Sequence, residues 1–245
     1  MTGRLLVRGM LVGLLAGLLA FSFAKVFGEP EIDRAIAFEE GMSHSHSHGD
    51  AEEEEPELVS REVQSTFGLL TGVLVYSVSL GGIFALVFAY SLGRVGNVGP
   101  RGLAALLALA AFVVLYLVPG LVYPANPPAV GNPDTIGKRT QLFFLMLLVS
   151  LAAAIIAVSA GRKFIASSGL WNGVIKGVVL YLVIVSIAGF LFPTFNEAPD
   201  GFSALLLWKF RVASLGIQAV LWTALGLIFG VVAERLLLPN KPYKA

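Results

Sequence analysis

Hydrophobic and polar positions divide the chain into six long apolar segments separated by shorter polar ones. Each apolar segment is close to the roughly 20 residues that a helix needs to cross a hydrocarbon core of about 30 Å. Because lipid offers no partner to a free backbone amide, each crossing segment must be helical. The pattern therefore predicts an all-α polytopic integral membrane protein, a single membrane domain over residues 1–245. The expected transmembrane spans are about 5–27, 67–91, 103–123, 140–160, 173–192 and 210–233.

The first apolar segment follows Arg4 and Arg8 and has two interpretations. A basic start and an apolar stretch fit the outline of a cleaved signal peptide, which would leave five spans. The stretch is long for such a peptide, and we therefore favour a retained transmembrane helix. Gly13 and Gly17 form a small-xxx-small pair that suits close contact with another helix. The pair Gly81-Gly82 in the second span likewise predicts a helix contact or a break.

Composition agrees with a membrane protein. The chain is 56% hydrophobic with a mean hydropathy of +0.81, and 13% of its residues are charged, about half the usual share. The formal net charge of +1 gives no indication of nucleic-acid binding. The absence of cysteine excludes disulfides and thiolate metal ligands.

Basic residues predict the orientation of the spans. The connectors 93–101 and 161–168 are short, basic and free of acids, as is typical of cytoplasmic loops. Six spans with both termini in the cytoplasm follow from this assignment. The spans then form helical hairpins with outward-facing loops, and the polar segments 28–66, 121–139 and 192–208 face outward together.

The outer segment 28–66 contains every histidine of the protein. Its Ser, Gly and Glu content predicts a mobile loop, with a short helix over 31–36 lying in the membrane interface. Alternating imidazoles on such a chain can bind one divalent ion, and imidazole suits Co, Ni, Cu and Zn. Acids nearby add oxygen ligands and a negative field. The candidate metal ligands are His44, His46, His48, Glu39, Glu40 and Asp50; the alternative is a solvated low-complexity linker.

The other two outer loops resemble each other weakly. Residues 123–128 and 192–199 both place an aromatic-Pro pair at the end of a span, followed by Asn and Pro and later by an acid. The polar residues of these loops could guide a cation at an entrance or simply cap helices, and Asp134 stands where a helix dipole favours an acid. The candidate entrance residues are Asn126, Asn132, Asp134, Asn196, Glu197 and Asp200. Four bases beside them are expected to form ion pairs or to contact lipid phosphates, namely Lys138, Arg139, Lys209 and Arg211.

No catalytic constellation occurs in the sequence, which lacks a phosphate-binding GxxxxGK[ST] loop and a dinucleotide fingerprint following a strand. We therefore expect a protein that is not an enzyme, has no tightly bound cofactor and cannot drive primary active transport alone. Few ionisable groups lie in the spans. An ion path through them would rely on backbone carbonyls, Ser and Thr hydroxyls, and the side chains of Gln141, Met146, Asn172 and Gln218.

Three stretches carry a resemblance to a known family. These are GEPEIDRAIAFEE with the histidines after it, LVYPANPPAVGNPDTIGKRTQLFFLMLLVS at 121–150, and LFPTFNEAPDGFSALLLWKFRVASLGIQAVLW at 191–222. They resemble the CbtA family of bacterial cobalt transporter subunits, and the resemblance covers nearly the whole chain. It implies a multi-pass protein of the bacterial inner (cell) membrane that serves cobalt uptake for cobalamin synthesis. The family is often described with five spans rather than six.

The resemblance and the residues together predict a subunit of a transition-metal uptake transporter. Co²⁺, with Ni²⁺ as the alternative ion, would be captured outside by the His/acid loop and passed through the helix bundle. A non-transporting scaffold or metal sensor that hands metal to another protein is the competing hypothesis. The expected partners are the lipid bilayer, a second copy of the chain, and the small single-span, His-bearing subunit CbtB that the resemblance implies.

Overall fold

The computed structural model describes residues 1–46 and 59–237, with the main chain alone for 43–46. Every regular element within these residues is helical, which confirms the predicted all-α class. The α-helices are α1 (Thr2–Phe23), α2 (Glu29–His46), α3 (Arg61–Val63), α4 (Leu69–Ser91), α5 (Pro100–Ala111), α6 (Val118–Val122), α7 (Pro133–Leu191) and α8 (Ala204–Leu237).

Three π-helical segments join consecutive α-helices into longer ones. They are Ala24–Gly28, Gln64–Gly68 and Phe112–Leu117. Two of them end two residues before a proline, Pro30 or Pro119. A proline ring clashes with the carbonyl four residues earlier and removes a donor, and an inserted π-turn lets a helix continue past such a position.

Five helical stretches of the described chain are long and apolar enough to cross a membrane, judged by length and composition. They are Thr2–Met42, Arg61–Ser91, Pro100–Val122, Pro133–Leu191 and Ala204–Leu237. The first of them differs from the expected short helix over 31–36. The π-turn carries α1 directly into α2, so the helix reaches His46 and occupies much of the segment predicted to be a loop.

Helix α7 contains 59 residues and would be about 90 Å long if it were straight. It reverses at Gly169, whose φ of 80° and ψ of 168° are non-helical and suit glycine alone. Residues on the two sides of this turn meet. A Cβ at Gly173 would lie 2.5 Å from Ile165 N, and one at Gly177 would lie 3.3 Å from the Ala157 carbonyl. The limbs 133–168 and 170–191 therefore form an antiparallel hairpin.

Alanine substitution tests the backbone requirement of this turn. No neighbouring atom lies within 4 Å of a Cβ built at Gly169 or at Gly137, and Gly137 is a helical position of the limb 133–168. We expect Gly169→Ala to lower the free energy of unfolding by about 1–3 kcal/mol through backbone strain. Gly137→Ala should be neutral or raise it by up to about 1 kcal/mol. Thermal unfolding in detergent measures both, and equal effects would contradict the turn.

The chain divides into two compact units, Met1–Phe112 with Ser203–Ala245 (unit 1) and Val113–Phe202 (unit 2). The core of unit 2 lies between the α6 region and the two limbs of α7. Its buried hydrophobic residues are Val114, Tyr123, Met146, Ala153, Ala157, Tyr181 and Val185.

Small residues allow the helices of unit 1 to touch through their backbones. A Cβ at Gly17 would lie 2.9 Å from Ser77 Cβ, and one at Gly13 would lie 3.2 Å from Gly81 Cα. Lipid provides no hydrophobic force between helices, so this close packing is what holds α1 to α4. The contact predicted from Gly13 and Gly17 is confirmed, and Gly81 supplies the facing position.

Helix α8 packs against α5 and α4 in the same unit. A Cβ at Gly226 would lie 2.5 Å from Ala108 Cβ. The Phe229 ring meets Phe84 and Phe88 edge-on, with centroid distances of 5.4 and 5.1 Å. Edge-to-face pairs of this kind add about 0.5–1.5 kcal/mol to the burial of the rings.

Candidate functional site

We call the outer segments 121–139 and 192–208 the first and second Pro/Asn loops. In the first of them, Asn132 caps helix α7. Its Oδ1 accepts a hydrogen bond of 2.9 Å from the Asp134 amide, which satisfies a donor of the first turn. Pro133 fills the first helical position, where a missing N–H is no loss. The exposed Asp134 carboxylate lies in that turn, where the helix dipole favours negative charge. The structure thus places these two predicted residues at a helix start.

The Glu197 carboxylate joins the second Pro/Asn loop to the start of α7. It accepts from Arg139 Nη1 at 2.5 Å, from the Thr135 hydroxyl and from the main-chain N–H of Asn132 at 3.3 Å. The Glu197 and Arg139 side chains are 10% and 22% exposed. The Thr135 hydrogen bond, supported by the Asn132 amide and the Arg139 charge, holds the pKa of Glu197 below its usual value. We name these four residues the loop clasp.

Aromatic contacts bring the two similar loops together beside the loop clasp. The Tyr123 hydroxyl donates to the Pro193 carbonyl at 2.9 Å. The Tyr123 ring, which is largely buried, lies 6.2 Å from the Phe192 ring and 6.3 Å from the Phe195 ring between centroids. The aromatic-Pro pairs that made the loops look alike in sequence are therefore in contact.

The remaining entrance and ion-pair candidates lie at the surface or close to it. The half-buried ones are Asn126 and Arg211, and the exposed ones are Asn196, Asp200, Lys138 and Lys209. Lys209 and Arg211 belong to α8 in unit 1, whereas the others belong to unit 2. Of the expected ion pairs, the one between Arg139 and Glu197 is formed.

The predicted metal ligands fall on α2 and beyond it. Glu39 and Glu40 are exposed on the helix, His44 and His46 lie in its final turns, and His48 and Asp50 lie outside the described residues. Among the described residues, no three His, Asp or Glu side chains are grouped so that they could hold a metal ion. Metal capture by this segment remains a prediction.

We call residues 28–66, which include the histidines, the His-bearing segment. A charged cluster near its two ends was not predicted from the sequence. Arg61 donates to the Glu29 carboxylate and, at 2.9 Å, to Asp33 Oδ1. The Lys25 ammonium donates to the Ser65 carbonyl at 3.0 Å and to its hydroxyl at 3.1 Å. These bonds join the α1–α2 helix to the start of the next helix. The available signal was the four-residue spacing of Glu29 and Asp33, which places both acids on one face.

Lys176 was also missed, because it falls inside a predicted span. Its ammonium donates to Ser168 Oγ at 3.0 Å and lies 5.9 Å from the centroid of the Phe164 ring. The side chain therefore reaches back to the Gly169 turn. Two further bases, Arg162 and Lys163, lie a few residues before this turn in the sequence. Long basic side chains near helix ends commonly extend to the interface in this way.

The loop clasp predicts a pH dependence of stability. Because the folded pKa of Glu197 lies below the unfolded one, its contribution is complete above the unfolded pKa of about 4.3. It is lost as the pH falls through the lower folded pKa. We expect thermal stability to drop below pH 4.5 less steeply in Glu197→Gln than in the parent. Identical slopes in melting curves recorded from pH 3 to 7 would contradict this role.

Comparison with known protein families gives a match over most of the chain. A family model described as "Probable cobalt transporter subunit (CbtA)" matches residues 2–234. Neither a curated protein nor a solved structure matches the chain.

Proposed function

The chain belongs to the CbtA family of probable cobalt transporter subunits, and we propose that it captures Co²⁺ outside the cell and passes the ion through its own helices. The observation that carries this proposal is the family match, which covers both units and begins at the first helix. The transported ion is the substrate, and no resident cofactor is required. Ni²⁺ is the alternative ion, since imidazole and oxygen donors suit both metals.

Capture begins in this proposal at the C-terminal end of α2 and in the residues that follow it. The ligands would be His44, His46, His48, Glu39, Glu40 and Asp50, of which the two glutamates are exposed on α2. The Arg61 pairs with Glu29 and Asp33 support it by tying the base of the segment to the next helix. Because metal binding needs neutral imidazoles, capture should weaken below about pH 6.

The helices would cross the membrane six times, with both termini in the cytoplasm. The reversal of α7 at Gly169 supports this number, because each limb is long enough to span about 30 Å by itself. The position of Lys176, Arg162 and Lys163 close to this turn supports a cytoplasmic turn. The first helix would be retained, since its glycines pack directly against α4.

The entrance would lie at the two Pro/Asn loops of unit 2. Asn126, Asn132, Asp134, Asn196, Glu197 and Asp200 would surround it. The exposed Asp134 and Asp200 are the acids best suited to attract a cation there. Glu197 would instead keep the loops together, because its charge is already balanced by Arg139. Lys138, Lys209 and Arg211 would contact lipid phosphates.

The protein would work in the bacterial inner membrane beside other subunits. The transporter-subunit family implies partners, and the single-span, His-bearing CbtB is the one we propose. A second copy of the chain is a further candidate. The competing function is a scaffold or sensor that hands captured metal to another protein without transporting it. The exposed acids on the long α2 helix are compatible with such a handover.

Uptake of Co²⁺ by a strain that lacks its own uptake systems tests the proposal. Cells that express the chain with CbtB should accumulate Co²⁺ above cells that carry CbtB alone, and no accumulation would refute transport. Replacing all three histidines with alanine separates the two functions. A transporter should lose apparent affinity more than maximal rate, whereas a scaffold or sensor should lose its metal response entirely. Replacing Ser43, Ser45 and Ser47 with alanine provides the matched control.

A further inference from the structure

Three polar groups meet deep inside unit 2. The Ser150 side chain is fully buried, and its hydroxyl donates to the Val114 carbonyl at 2.8 Å. The Tyr181 hydroxyl lies 2.9 Å from Ser150 Oγ. Since a serine hydroxyl has one proton to donate, Tyr181 is the donor in this second bond. We name Val114, Ser150 and Tyr181 the mid-span triad.

The mid-span triad lies near the centre of the membrane if the limbs of α7 span it. Tyr181 is ten residues from Leu191, the end of the second limb, which is about 15 Å along a helix. That distance is half of a hydrocarbon core of about 30 Å. Polar groups at this depth are expensive to keep, and in membrane proteins they commonly mark ion or substrate pathways.

The helix that contributes Val114 changes from α-helical to π-helical geometry at this point. Val114 belongs to the π-helical segment Phe112–Leu117, in which an additional residue per turn shifts main-chain carbonyls out of their regular register. π-helical turns are frequent at functional sites, and main-chain carbonyls at irregular points of helices coordinate ions near the midplane of transporters. Met146, one turn before Ser150 and also fully buried, adds a thioether on the same face.

Unit 1 contains a comparably buried serine with a different hydrogen-bond partner. Ser77 is as buried as Ser150, but its hydroxyl donates to the Leu74 carbonyl of its own helix at 3.2 Å. Around it, the backbones of α1 and α4 approach so closely that a Cβ at Gly13 would collide with the Ser77 carbonyl. Ser77 thus serves helix packing, whereas Ser150 connects three helical segments through groups that can also coordinate a cation.

We propose that the transported metal ion crosses the membrane through unit 2 by way of the mid-span triad. The Val114 carbonyl, Ser150 Oγ and Tyr181 Oη supply oxygen ligands, with the sulfur of Met146 beside them. Neutral ligands bind an ion weakly enough to release it, as conduction requires. In the structure the triad groups bond to one another, and a passing ion replaces those bonds. The inference rests on the proposed transport function.

The absence of native cysteine allows a direct test. We expect a small cationic methanethiosulfonate reagent to modify Ser150→Cys in membrane vesicles, and Co²⁺ to slow the reaction. Ser77→Cys, equally buried in the structure, should resist the reagent with or without Co²⁺. Absence of modification at position 150, or a rate that Co²⁺ does not change, would overturn the proposal.

Tyr181→Phe provides a second readout that does not depend on cysteine. It removes one hydroxyl and keeps the ring, and we expect Co²⁺ uptake to fall about tenfold, corresponding to about 1.4 kcal/mol. The amount of protein in the membrane and its melting temperature should stay within the range of the parent. Unchanged uptake by Tyr181→Phe, alongside active parent protein, overturns the mid-span triad alone. Lack of uptake by the parent overturns the proposed function itself.

Discussion

Gly81→Ala is expected to destabilise unit 1 severely. A Cβ at this position would lie 2.9 Å from Gly13 Cα and 3.0 Å from Gly13 N, and closer still to the Gly9 carbonyl. All three neighbours are main-chain atoms, so no side chain can rotate to make room and α1 and α4 must separate. We expect the free energy of unfolding to fall by about 3 kcal/mol or more. For a protein stabilised by about 5–15 kcal/mol, that is a large fraction.

Gly72→Ala is the matched control for this prediction. Gly72 lies on the same helix, α4, and no neighbouring atom is within 4 Å of a Cβ built there. It should leave stability unchanged or raise it by about 0.5–1 kcal/mol. Tryptophan fluorescence on heating and the monodisperse fraction after size exclusion in detergent measure both variants. If Gly81→Ala has the same melting temperature as Gly72→Ala, the close contact of α1 with α4 is wrong.

The helical fold was accessible from sequence because lipid restricts a spanning segment to one structure. Long uncharged runs identified the helices, and the small-residue spacing of Gly13 and Gly17 identified a packing face. Their boundaries were less predictable. The merger of α1 with α2 depends on a π-turn before Pro30, and hydropathy carries no information about such a turn. The reversal lies at Gly169, one residue after the connector predicted at 161–168, and the residues of that connector are themselves helical.

The contacts of the candidate sites were harder to predict, because they join residues far apart in sequence. Asn132 is a recognisable cap, since its role depends on the next two residues. Glu197 is different, because its partner Arg139 is 58 residues away. Ser150 and Tyr181 are ordinary residues of apolar spans until the hairpin brings them together. A pattern along the chain shows which faces are polar, whereas tertiary packing decides which polar groups meet.

The two Pro/Asn loops and the mid-span triad all belong to unit 2. The loops lie at one end of the hairpin limbs, where Tyr123 and Glu197 hold them together. The triad lies halfway along the same limbs. Unit 1 contains the close backbone contacts of α1 with α4, and its helix α2 includes His44 and His46. In our proposals unit 1 therefore presents the metal-capturing segment, and unit 2 provides the passage.

Arg61→Ala is expected to have the second large effect, because it would leave the Glu29 carboxylate without its cation. Glu29 is 5% exposed, and removing one partner of a buried ion pair typically costs about 3–5 kcal/mol. The loss should loosen the base of the His-bearing segment as well as lower the melting temperature. Adding Glu29→Gln to Arg61→Ala should recover part of the stability, because a neutral amide is less costly to bury than a charge.

Arg101→Ala is the control for Arg61→Ala, since it breaks another arginine–glutamate pair between two helices. Arg101 Nε lies 2.6 Å from the Glu234 carboxylate, but the two side chains are 59% and 31% exposed. Water therefore solvates either charge after the pair is broken, and the expected change is about 0–1 kcal/mol. Melting temperatures of all four proteins, including the double variant, give the comparison. If Arg61→Ala costs no more than Arg101→Ala, burial of Glu29 does not decide the energetics, and the base of the segment is held by Lys25 and Ser65 instead.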